Sequence, residues 1–172
     1  MHRSVMLGAI ALMMAGTCLA QTPTPTPSKY YKLDFVLREV ETGKVLSSHA
    51  YSMLAPNSPN SSSIRTGSKI PVPVTGSSSF TYVDVGVSID CNNLHEVEGG
   101  IGVSVSADVS TIPQESLDSH SSGAPTIRQN KWRSEVLIPL RAPTVIFSSD
   151  DLTSRRVMLL EVTATPVKVS AH

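Results

Sequence analysis

Net charge is the first thing this chain lacks. Fourteen Lys and Arg balance fourteen Asp and Glu over 172 residues. That balance excludes the strongly basic composition by which nucleic-acid binders neutralise phosphate, so no nucleic-acid partner is expected. Cysteine is nearly absent, at two residues, Cys18 and Cys91. Long hydrophobic runs are missing too: the most extended, Val5 to Ala15, is shorter than the roughly 20 apolar residues that span a bilayer as a helix. Catalytic signatures are also wanting. The chain has no Gly-x-Ser-x-Gly, Ser-x-x-Lys, His-Glu-x-x-His or Cys-x-x-Cys, and no phosphate-cradling glycine loop. No catalytic residue, cofactor or metal ligand is therefore assigned, and the expectation is a protein that is not an enzyme.

What is present begins at the amino terminus. His2 and Arg3 precede the apolar run, and Thr17-Cys18-Leu19-Ala20 places small residues ahead of a cut after Ala20. Residues 1–20 thus read as a signal peptide for export to the periplasm or beyond. The alternative, a lipoprotein acylated at Cys18, fits less well, because Thr17 and Ala15 depart from the usual bacterial lipobox. After cleavage Cys91 is the single thiol, so no internal disulfide forms and stability must come from side-chain packing. Residues 21–28, QTPTPTPS, form a proline-rich tether that favours extended polyproline II.

Residues 29–172 read as one β-domain with period-two patterning and no helical run. Tyr31, Leu33, Phe35 and Leu37 alternate with Lys32, Asp34 and Val36, and Glu41-Thr42-Gly43-Lys44 offers a hairpin turn into a strand from Val45 to Leu54. Residues 55–63 have loop composition. The clearest alternation puts Val83, Val85, Val87, Ile89 and Cys91 on an inward face, with Tyr82, Asp84, Gly86, Ser88 and Asp90 opposite. Ile101, Val103, Val105, Ala107 and Val109 repeat it, and residues 92–100 read as the linker between two neighbouring strands. A polar loop covers 113–125. Trp132, Val136, Ile138 and Leu140 then share a face, with Pro139 and Pro143 confining these segments to an edge or an end. Thr144 to Phe147 forms a short apolar run, Ser148 to Asp151 looks like a turn, and Met158, Leu160, Val162 and Ala164 mark a last strand. About eight strands without a helix point to an antiparallel two-layer β-sandwich or a curled sheet.

Few residues stand out as sites. His95-Glu96-Val97-Glu98 gathers metal-ligating types but sits in the expected linker. Trp132, the sole tryptophan, is either a core residue or a stacking platform for a carbohydrate. Acidic side chains dominate residues 80–120 and basic ones follow from 121 onward. This suits either complementary pairing between strands of one sheet or opposite faces in head-to-tail contacts.

From Gly67 onward several segments resemble the β-domain of bacterial secretins, the outer-membrane channels of type II and type III secretion and of type IV pili. Phe80 to Asp90, FTYVDVGVSID, resembles the stretch in which an aromatic, a spacer and Asp-Val-Gly introduce a strand, and Gly67-Ser68-Lys69-Ile70-Pro71 is similar to the family's Gly-x-x-Ile-Pro. Val103 to Ile112, Ile127 to Pro139 and Thr144 to Phe147 resemble the strands that follow. The family's glycine-rich turn after the equivalent of Ile146 and its preceding ring-building domains have no counterpart here. The resemblance therefore implies a reduced, exported secretin-like β-domain that acts through a protein partner or self-association at the bacterial envelope, without membrane insertion. A carbohydrate- or small-molecule-binding β-sandwich using Trp132 is the alternative.

Overall fold

The computed structural model describes residues 29–74, 76–112, 126–151 and 155–167. The expected signal peptide, tether and 113–125 loop lie outside them. Eight strands follow in order: β1 (Tyr30–Glu41), β2 (Lys44–Pro56), β3 (Ser62–Pro73), β4 (Phe80–Val97), β5 (Gly100–Thr111), β6 (Arg128–Pro139), β7 (Thr144–Asp150) and β8 (Arg156–Val167). They form two antiparallel four-stranded sheets, ordered β2-β1-β8-β7 and β3-β4-β5-β6. Of the two architectures expected, the two-layer sandwich is the one adopted.

Alternation becomes burial in the two central pairs. Tyr31, Leu33, Phe35 and Leu37 of β1 and Leu160, Val162 and Ala164 of β8 face Ile89 and Cys91 of β4 and Ile101, Val103, Val105, Ala107 and Val109 of β5. Burying each large aliphatic or aromatic side chain contributes about 1.5–3 kcal/mol, and this layer carries the stability that no disulfide supplies. The Cys91 thiol is part of it. Burial, reinforced by the neighbouring Asp90 carboxylate, pushes its pKa up to about 12, so the reactive thiolate is disfavoured.

Local chemistry explains the turns. Thr42 and Gly43 both take positive φ, at 49° and 82°, which is the two-residue turn whose twist matches a β1–β2 hairpin. The expected linker at 92–100 is instead mostly strand: β4 continues to Val97, and only Glu98 and Gly99 turn. A bulge makes this continuation possible. Asn93 adopts φ 52° and the register with β5 shifts between Asn92 and His95, so that Leu94, not Asn93, enters the core. The expected turn at 148–151 is also displaced, because Ser148, Ser149 and Asp150 pair with Leu159, Met158 and Val157 as part of β7. Proline behaves as its missing donor requires: Pro139 ends edge strand β6, and Pro143 precedes edge strand β7.

Part of the charge asymmetry resolves by pairing between neighbouring strands of one sheet. Arg65 of β3 reaches Asp90 of β4 at 2.6 Å, Lys69 reaches Asp84 at 3.1 Å, and Lys131 of β6 reaches Asp108 of β5 at 3.0 Å. The acidic strands are central and the basic ones flank them.

Candidate interaction surface

Strands β3 and β4 are longer than the sandwich they belong to. β5 pairs with β4 only as far as Val87↔Val109, whereas β4 begins at Phe80. Among the described residues, Phe80–Gly86 pairs with Gly67–Pro73 alone. The result is a two-stranded arm that continues past the last β4–β5 pair by seven residues a strand, roughly 20 Å at strand rise.

The root of the arm is held by three small residues. Gly67 and Gly86 lie directly opposite one another; a Cβ on Gly86 would fall 2.1 Å from the Thr66 carbonyl oxygen, and one on Gly67 2.4 Å from that of Val85. Only glycine permits this approach. On the other side of β4, where β5's backbone no longer follows, Ser110 takes over. Its buried Oγ accepts the Gly86 N–H at 3.0 Å and lies 3.4 and 3.5 Å from the Gly86 and Asp84 carbonyl oxygens. A side chain thus replaces a rung of the ladder.

Beyond the root both faces are apolar. One carries half-buried Ile70, Val72, Val83 and Val85; the other carries Phe80 and Tyr82, 60% and 64% exposed, beside Pro73 and Pro71. The expectation that Val83 to Cys91 forms one inward face therefore holds in full for Ile89 and Cys91 and in part for Val87, which packs half-buried against the core beside Val109, but not for Val83 and Val85, which no β5 pairing accompanies. Isolated two-stranded ribbons are marginal in water, and aromatic side chains exposed on such a ribbon mark a surface that a partner would cover.

The residues singled out from sequence lie elsewhere. Trp132 of β6 stacks on Phe147 of β7, ring centroids 3.8 Å apart and planes 7° from parallel, and is half-buried against the core. One face of its ring is occupied, and its indole N–H has no hydrogen-bond partner among the described residues. The His95–Glu98 group is dispersed by strand geometry. His95 lies over Gly102 and bonds the Asn93 carbonyl, while Glu96 accepts from the Tyr31 hydroxyl at 2.5 Å and from Lys29 at 3.0 Å. Among the described residues no three His, Cys, Asp or Glu side chains converge on a possible metal position. A cleft of about 560 Å³ opens at the arm end of the sandwich, and both of its arginines are paired with carboxylates: Arg156 with Glu39 and Glu41, Arg128 with Asp151.

The Tyr31–Glu96–Lys29 cluster joins the start of β1 to the end of β4, and so one sheet to the other. Burial first, and then the bond to Glu96, push the Tyr31 hydroxyl up to about 12, while that same bond and Lys29 hold the Glu96 carboxyl below its usual 4.5. A depressed carboxyl contributes stability that is present above its unfolded-state value and lost as pH falls through the folded one. Glu96→Gln is thus expected to melt below the wild type at pH 7. The gap should close progressively below about pH 4.5, and calorimetry across pH 2.5–7 checks it. A gap unchanged at pH 3 would show that the carboxylate charge is irrelevant.

No family model matches the sequence, and no curated protein matches it. Solved structures do. The chain is similar to the secretin InvG of the Salmonella SPI-1 type III secretion injectisome, at 8% identity and TM-score 0.54, covering 84% of this chain and 66% of that one. It is equally similar to the InvG secretin-domain β-barrel of the injectisome NC-base, at 8% identity and TM-score 0.54, over 84% and 64% of the two chains. PulD of the Klebsiella pneumoniae type II secretion system matches at 12% identity and TM-score 0.48, over 83% of this chain and 39% of that one. The chain spans less than two thirds of the length of the InvG chains it matches. At these identities the shared property is the fold: the domain is similar in fold to the secretin domain of InvG.

The arm residues were not singled out from sequence as a site. Phe80 and Tyr82 belong to no motif of their own. The usable signal was two large aromatics at the start of a face otherwise made of Gly, Ser and Asp.

Proposed function

We propose that this chain is a non-enzymatic, exported β-domain of secretin-like fold that works at the bacterial envelope through protein–protein contacts made by the β3–β4 arm. The arm carries the reading. It is a projecting ribbon with a glycine- and serine-built root and two exposed aromatics, Phe80 and Tyr82, side by side on one face. The fold shared with InvG supports the envelope setting, since InvG has been solved with PrgH and PrgK as injectisome basal body proteins. The apolar faces of the central strands meet each other inside the sandwich, which supports a domain working in water and not within a bilayer.

In-cell crosslinking tests the proposal. A photoreactive residue at position 82 should yield adducts in the envelope fraction, and a second version with Phe80→Ser should lose most of them. A crosslinker at Leu54, exposed on the outer face of β2, serves as the comparison. Adducts that form equally at both positions, or none at position 82, would defeat the reading. Aromatic anchors at an interface centre cost tenfold or more in affinity when truncated, on the order of 2 kcal/mol, so a strong loss is expected.

A further inference from the structure

The two edges of the arm are not equivalent. In an antiparallel ladder a residue directs its N–H and C=O to the same side, and successive residues alternate. Gly86 directs its N–H toward Ser110, on the side where β5 would continue, and the Asp84 carbonyl lies on that side as well. Counting back in twos, Tyr82 and Phe80 turn their backbone groups the same way, away from β3. The register with β3 agrees. Tyr82 and Phe80 stand opposite Pro71 and Pro73, residues without an N–H to give, as positions that exchange no bond across the β3–β4 pair require. Those prolines in turn face β3's outer edge and close it to pairing. The β4 edge over Phe80–Asp84 has no proline, no bulge and no strand beside it among the described residues.

We infer that this open edge is the site at which a second copy of the chain adds, strand to strand, about a two-fold axis at Tyr82. The inference takes the arm as the contact surface, in keeping with the proposed function, but does not depend on the envelope setting. Self-pairing fits the dimensions. The open edge runs from Phe80 to Asp84 with Tyr82 at its centre, and it ends at Gly86, whose N–H the Ser110 hydroxyl already takes, so the second strand occupies the five residues between tip and root. Phe80 of each copy then faces Asp84 of the other, and the two Tyr82 residues meet. Charge offers no obstacle, because Lys69 and Asp84 are the only charged residues of Gly67–Gly86 and they already pair at 3.1 Å. Joining two marginal ribbons yields one continuous four-stranded sheet, the size at which a sheet holds by itself. The contact is isologous and therefore closes at two copies.

Sedimentation of the purified protein over a concentration series tests this. A dimer should appear by about 100 µM, as a small interface allows. Tyr82→Pro removes an N–H that β3 does not use, so it should raise the dimer dissociation constant at least about tenfold while leaving the melting temperature of the dilute protein nearly unchanged. Should that variant fail to fold, hydrogen exchange on the wild type decides. The Tyr82 and Asp84 amides should be protected at high concentration and exchange quickly on dilution, whereas those of Thr81 and Val83, bonded to β3, stay protected in both. A monomer at every concentration, a dimer indifferent to Tyr82→Pro, or a larger closed ring would each overturn the two-fold contact. A heterologous partner on the arm would survive any of these results.

Discussion

Ile89→Asp is expected to cost about 4 kcal/mol or more and to leave little folded protein at 37 °C, because a charge would enter a layer with no group to pair with it. Ile89 is 0% exposed, between Ile64 of β3 and Ala107 of β5, and beneath β1. Domains of this size are stable by about 5–15 kcal/mol in total, so the loss would be a large share. The informative comparison is Val85→Asp. Periodicity gives Val85 and Ile89 the same status, but Val85 lies on the arm, past the last β4–β5 pair, and is only half-buried. Its replacement should therefore cost well under half as much. Urea unfolding of the two variants measures the difference directly; equal losses would mean that the arm is enclosed after all.

Gly86→Ala is expected to have the second-largest effect, and a different character. The position combines φ 155° with a Cβ 2.1 Å from the Thr66 carbonyl oxygen, so the added methyl meets backbone that cannot swing aside. Strain of this kind costs roughly 1–3 kcal/mol, and the opposing contact adds to it. The sandwich does not depend on this crossing. The arm should open while the two sheets persist, a local rather than a global unfolding. Hydrogen exchange separates these outcomes: the Ile70, Val72 and Val83 amides should lose protection, while those of Leu33, Val103 and Leu160 keep it. Uniform loss across both sets would show that arm and sandwich unfold as one unit. Gly67→Ala, whose Cβ would meet the Val85 carbonyl oxygen at 2.4 Å, should do the same to a lesser degree, since its φ is ordinary.

Much of the fold was legible because burial leaves a local mark. β1, β5 and β8 each show an apolar residue at every second position, and the structure buries those residues. The Thr42-Gly43 turn was legible for the same reason, being a matter of two residues' own backbone preferences. β3 was not singled out by alternation. Its Ser, Thr, Gly, Lys and Pro face solvent for most of their length, and an edge strand with little to bury has little need of a pattern. The continuation of β4 through residues 92–97 was hidden by its bulge, which shifts the inward position from Asn93 to Leu94 and so breaks the period of two. Asn92, Asn93 and His95 then resemble a loop.

Composition and periodicity by themselves determined the all-β class, the inward faces of β1, β5 and β8, the buried thiol and the first hairpin. Each depends on single residues or near neighbours. The tertiary structure alone decided which strands share a sheet, where β5 stops short of β4, and hence that Phe80 and Tyr82 stand on a projecting arm with one edge closed and one open. Alternation says which side of a strand is apolar, but strand partners are chosen across tens of residues. The length left over when two partners differ is a property of the pair and is written in neither strand.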